Sequence, residues 1–112
     1  MIREFIETSI FRQLWTEAKL SEEDLRTLQR TLLASPDAGV VIKGTHGLRK
    51  IRVPASGRGK RGGARVFYKD FAKADKIFFI FLIVKNESED LLPEQKSRVA
   101  KMLKSIEEDL NG

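Results

Sequence analysis

Eight consecutive apolar residues, Ile77 to Val84 (IFFIFLIV), interrupt a chain whose other apolar positions recur with a period. A run of that length suits a strand buried on both faces at the centre of a sheet. It is far short of the roughly 20 residues that a membrane helix needs. Upstream, Ile2 to Glu7 alternate apolar and polar side chains and predict a short strand. Phe11, Leu14, Trp15 and Ala18 then follow helical spacing after Thr8 or Ser9 as N-cap. Ser21-Glu22-Glu23-Asp24 opens a second helix as a capping box with Asp in place of Glu. Leu25, Leu28 and Leu32 form its stripe, with Leu33 beside it. The helix is expected to stop at Ser35-Pro36-Asp37, since proline pushes the residue before it out of helical geometry. Trp15 belongs to the core rather than to a base-stacking surface.

Shorter alternations follow. Gly39 to Ile42 predicts a brief strand, Gly44 to Gly47 a turn, and Leu48 to Val53 a strand. In that strand Arg49, Ile51 and Val53 share one face, and Lys50 and Arg52 the other. Ser56 to Gly63 is too glycine-rich for either regular structure, and Ala64 to Lys69 alternates again. There Val66 and Tyr68 fall on one side, Arg65 and Phe67 on the other. Asp70 to Asp75 turns the chain into the apolar strand at Lys76. After a turn over Ser88 to Leu92, Pro93 starts a last helix whose apolar face is Val99, Met102, Leu103, Ile106 and Leu110. The pattern predicts one α+β domain over residues 1–112: a strand, a two-helix hairpin on a twisted antiparallel sheet, and a C-terminal helix, with the helices on one face.

Charge alters this picture at one place. Residues Lys43 to Lys69 contain nine basic and no acidic residues, whereas the chain carries a net +5, so the remainder is net acidic. A basic segment within an acidic remainder points to a polyanionic partner, nucleic acid first. There is no cysteine, which excludes disulfides, thiolate nucleophiles and cysteine-based zinc sites. Charges at Arg3 and Glu4 break what a signal peptide would need as an apolar core, and a cytoplasmic protein with no membrane contact is expected.

The single histidine, His46, sits between glycine-containing turn residues and cannot supply a two-histidine acid/base pair. We expect no metal site and no cofactor. The loop sequence Gly57 to Gly63 lacks the strand-to-helix context and the GK[ST] ending of a phosphate-binding loop. What remains is a cationic face: Lys50, Arg52 and Arg65 on adjacent strands, Lys60 and Arg61 above them, and Lys85 after the apolar strand. Such groups can hold a phosphodiester and stabilise the added charge of a pentavalent transition state. Crowded like charges also favour the neutral form of one lysine, a possible base toward a ribose 2′-hydroxyl. On composition alone, cleavage and binding without cleavage stand level.

Three segments carry a resemblance: Gly47-Leu48-Arg49-Lys50-Ile51-Arg52-Val53, the run GRGKRGGARVFY from Gly57 to Tyr68, and Lys85-Asn86-Glu87 followed by Asp90-Leu91. Together they resemble the HigB-like branch of the RelE/ParE toxin superfamily, along essentially the whole chain. The resemblance implies a compact α+β toxin of a type II toxin–antitoxin system, a ribosome-dependent messenger-RNA endoribonuclease (mRNA interferase) that inhibits translation. Its implied partners are the ribosome, messenger RNA and a cognate antitoxin, often of helix-turn-helix type. Position by position, it makes Lys50 and Arg52 base and phosphate ligand and Arg65 a transition-state stabiliser; Lys85, just before the departed position Asn86, is expected as a further catalytic cation. Arg49, Arg58, Lys60, Arg61, Tyr68 and Asn86 are the expected RNA- or ribosome-binding residues. Two positions depart from the RelE pattern: Asn86 stands for an arginine, and Leu92 for a tyrosine. Arg61, Lys60, Lys85 or Tyr68 is then expected to compensate. The alternatives are a binding module or a ParE-like inhibitor of DNA gyrase, and a homologue that serves only to bind antitoxin.

Overall fold

Five strands form one sheet in the order β1-β5-β4-β3-β2: β1 (Glu4–Glu7), β2 (Val40–Val41), β3 (Arg49–Val53), β4 (Ala64–Phe71) and β5 (Lys76–Val84). The structure is a computed structural model and describes residues 2–54, 63–84 and 91–112. Helices α1 (Ser9–Glu17) and α2 (Glu22–Ala34) follow β1, and α3 (Pro93–Asn111) ends the chain. β5 spans the residues predicted for it, and its interior position between β1 and β4 explains why its sequence is apolar on both faces. By strand order, however, the middle of the sheet is β4. β1 runs parallel to β5, pairing Glu4 to Glu7 with Lys76 to Phe79, so the sheet is mixed rather than antiparallel throughout.

Thr8 explains how the chain leaves β1. Its backbone N–H donates to the Phe79 carbonyl (3.1 Å), extending the strand contact by one residue. Its hydroxyl accepts from the Phe11 N–H (3.1 Å) as the N-cap of α1 and donates to the Ile80 carbonyl (2.7 Å). Thr8, not Ser9, is therefore the cap. At α2 the capping box is complete: Ser21 Oγ accepts from Asp24 N–H (3.0 Å), and Asp24 Oδ2 accepts from Ser21 N–H (3.1 Å). Glu22, Glu23 and Asp24 occupy its first turn, where the helix dipole favours anions.

The sheet has two buried faces. Phe11 and Trp15 of α1 and Leu25, Leu28 and Leu32 of α2 pack on Val53, Val66, Tyr68, Ile77, Phe79 and Leu82. Trp15 has no exposed surface, and its indole N–H finds no acceptor among the described residues. On the opposite face Val99 and Leu103 of α3 pack with Leu91 over Leu48, Phe67, Phe71 and Ile80. The expectation that all helices share one face is thus corrected. Alternation leaves apolar side chains such as Phe67, Phe71 and Phe78 on the second face, and α3 supplies the cover they require.

α3 runs the length of this second face. Near its start, Leu91, Gln95 and Arg98 border the same groove as Ile83 at the end of β5. Near its finish, Glu107, Leu110 and Asn111 border the turn at Ala72 to Ala74. His46 pins that end: its Nε2 lies 2.9 Å from Glu107 Oε1, a contact that holds the Glu107 carboxyl below the usual range.

Candidate nucleic-acid interface

Register in an antiparallel pair decides which side chains meet. Arg52 of β3 lies directly opposite Arg65 of β4, and Lys50 opposite Phe67, so Lys50, Arg52 and Arg65 share the face that α3 partly covers. Directly opposed residues hold their β-carbons about 5 Å apart, and like charges at such a pair are destabilising. The fold thus places two arginines where stability alone disfavours them. Arg65 in turn faces Ile83 of β5, and Phe67 faces Phe81. The Phe67 and Phe81 rings stack at 4.4 Å with 7° between their planes. The cations therefore stand around an aromatic floor fixed to the core. Arg52 is exposed, whereas Lys50 and Arg65 are half-buried and each is engaged by a neighbour.

Not all the residues read from the sequence join them. Tyr68 and Arg49 form the next register pair on the opposite face. Tyr68 is 0 % exposed. Its hydroxyl donates to the Pro36 carbonyl and accepts from the Gly39 N–H, each at 2.8 Å. Burial pushes its pKa up, partly offset by the Gly39 N–H. A side chain with no exposed surface does not touch RNA, so the RNA-binding role and the compensating proton donation expected of Tyr68 are both corrected: it anchors the turn after α2. Arg49 serves the same turn, its Nη1 donating to the Gly39 carbonyl (2.7 Å) and the Asp37 carbonyl (3.3 Å). Its guanidinium is directed away from the cationic face. Arg58, Lys60, Arg61, Lys85 and Asn86 lie outside the described residues.

His46 is a turn residue, at a φ of 60° that few side chains adopt. Its carbonyl accepts from Lys69 Nζ (2.9 Å), which removes Lys69 from the reactive set although it lies on the same face. Leu92 is the N-cap of α3, more than half exposed, and a hydrocarbon there transfers no proton. Among the described residues, then, the chemistry available is that of three cations held rigidly on adjacent strands. Their joint capacity is to bind a phosphodiester and stabilise charge that builds on it.

The family model described as the RelE toxin of the RelE / RelB toxin-antitoxin system matches residues 6–110. The chain belongs to the RelE toxin family. Among solved structures it is similar to an arginine-double-mutant form of the E. coli toxin RelE in the free state, with a TM-score of 0.52 and 19 % identity. That match covers 92 % of this chain and 98 % of the other, and at such identity it shows a shared α+β fold. As a member of this family the protein is the toxin of a toxin–antitoxin system, and an antitoxin is its partner. No helix among the described residues is long and apolar enough to cross a membrane.

Proposed function

We propose that this RelE-family toxin is a ribosome-dependent endoribonuclease that cuts translated messenger RNA through its own 2′-hydroxyl. The observation that carries the reading is the register pair Arg52–Arg65 with Lys50 on the same face. An anion bridging two opposed arginines removes the repulsion that the fold builds in. In this reading Arg52 holds the scissile phosphate, Arg65 stabilises the pentavalent transition state, and Lys50 takes the proton of the 2′-hydroxyl. The 2′-oxygen bonds to phosphorus, the bond to the 5′-oxygen breaks, and a 2′,3′-cyclic phosphate and a free 5′-hydroxyl result. With Tyr68 buried and Leu92 apolar, the proton for the leaving 5′-oxygen is assigned to the set Lys60, Arg61 and Lys85. The antitoxin is taken to be of helix-turn-helix type, covering the cationic face with an acidic segment.

Primer extension on a reporter message in a reconstituted translation system tests this reading. Cuts are expected only when ribosomes translate the message, and a folded Lys50→Ala, Arg65→Ala variant is expected to make none. Full activity in that variant would remove those residues from the mechanism. Intact message together with gyrase-dependent DNA breaks would instead select the gyrase-inhibitor alternative.

A further inference from the structure

Helix α3 carries a run of exposed basic residues along its surface. Every charged residue from Lys96 to Lys104 is basic (Lys96, Arg98, Lys101, Lys104), whereas Glu107, Glu108 and Asp109 follow in the last turns. The partial charges of a helix favour anions first, as at Glu94, and cations last, where α3 has acids instead. No basic residue occupies the last turn of α3. Arg98, Lys101 and Lys104 are also spaced three apart, so each is the surface neighbour of the next and the two contacts repel. All three are exposed, and no ion pair among the described residues engages them.

α2 in the same molecule shows what an exposed helix looks like when stability sets its charges. Its three acids fill the first turn, and Arg26 and Arg30 both reach Glu23, at 3.0 and 3.5 Å. α3 places one acid, Glu94, in its first turn and ties Glu107 to His46, but no ion pair among the described residues engages its exposed row Arg98, Lys101 and Lys104. The row begins beside the strand cations: Arg98 lines the groove that Ile83 also borders, and Ile83 pairs with Arg65. The acidic half lies at the far end, beside the turn at Ala72 to Ala74. The basic row of α3 thus starts at the end of the second face that carries Arg65, and the acids of its last turns lie toward the other.

We infer that Arg98, Lys101 and Lys104 form a second phosphate-contacting surface, which grips the backbone of structured RNA while the strand cations hold the scissile message. Their three-residue spacing advances about 4.5 Å along the helix per step, close enough to follow successive phosphates of one strand. The inference rests on the ribosome-directed reading above, and it assigns affinity to α3 and chemistry to the strands.

The test is binding to purified 70S ribosomes at several salt concentrations, beside cleavage kinetics on translated message. Neutralising the row (Arg98→Gln, Lys101→Gln, Lys104→Gln) is expected to reduce the slope of log K against log salt by about two to three. Affinity at moderate salt should fall on the order of ten-fold, with KM raised and kcat retained. The charge-preserving variant (Arg98→Lys, Lys101→Arg, Lys104→Arg) should bind as the parent does, and thermal melting checks that each folds. Neutralising Arg26 and Arg30 on α2 should leave the slope in place; an equal drop would show a net-charge effect and overturn the inference. So would an unchanged slope in the α3 variant, or a loss confined to antitoxin affinity. Cleavage with an unchanged slope leaves the ribonuclease reading standing without this surface. Ribosome binding with the expected slope but no cleavage does the reverse.

Discussion

Replacing Tyr68 with Phe removes one oxygen atom and orphans two buried groups, the Gly39 N–H and the Pro36 carbonyl, each held at 2.8 Å. A buried polar group left without a partner costs about 1–3 kcal/mol, so two cost about 2–6 kcal/mol, and the small void left by the hydroxyl adds little. For a chain of 112 residues that is a fall in Tm on the order of 10 °C. The deficit should also depend on pH with a definite sign. Burial raises the Tyr68 pKa above the ordinary 10.0, so the folded state holds this proton more tightly than the unfolded state does. That contribution is fully present below about pH 10 and is lost as pH rises through the raised folded value. The parent therefore loses stability on this account above about pH 10 and Tyr68→Phe does not, so the gap between them narrows there. The chain has a single tyrosine, so tyrosinate absorbance follows this one group without assignment. Urea melts from neutral to alkaline pH, read against that absorbance, give both quantities. A melting temperature equal to the parent's, or tyrosinate forming at the ordinary pKa in the folded protein, would refute the buried clamp. Message cutting at a permissive temperature should persist, and its loss without unfolding would return Tyr68 to the RNA site.

Two further substitutions probe how the cationic strands are held. Gly39→Ala would put a β-carbon 2.8 Å from the Lys50 carbonyl oxygen and 2.8 Å from a ring carbon of buried Tyr68, neither of which can swing away. A destabilisation of about 2 kcal/mol or more is expected in denaturant melts, and parental stability would show that the turn packs less tightly. Arg3 donates from Nε and Nη2 to both oxygens of Asp70, at 2.7 and 3.1 Å, tying the chain before β1 to the end of β4. Arg3→Ala should cost about 1–2 kcal/mol, discounted because Asp70 retains some contact with water. A double-mutant cycle with Asp70→Asn measures that coupling, and a value near zero would dismiss the pair as ornamental to stability.

Local pattern was enough wherever one physical cause dominated. The bounds of β5 follow from eight apolar residues, and the capping box at Ser21 from the need of the first helical N–H groups for acceptors. Alternation alone put Lys50, Arg52 and Arg65 on one face, and the pairing of Arg52 with Arg65 agrees. Features set by distant partners were not legible. Four residues of β1 do not encode a strand direction, so the parallel pairing with β5 was missed. The stripe of Val99, Leu103 and Ile106 predicts a buried helix face but not the sheet face that receives it. Tyr68 shows the opposite failure. Its alternation already placed it with Val66 in the core, and only the family resemblance suggested an RNA-facing role.

The α3 cations were visible in the sequence as individual residues, and nothing in helical periodicity singled them out. Their meaning needs two facts from the fold: which end of the sheet the helix starts from, and that α2 keeps the ordinary order. Arg98 lies at the end of the second face that carries Arg65, and Glu107 lies at the other. Cations on α3 raise the positive potential that the strand arginines must already tolerate. The exposed row Arg98, Lys101 and Lys104 adds its charge to that of the strand cations. That concentration serves a long polyanion, which contacts several phosphates at once, far better than it serves a single bound phosphate.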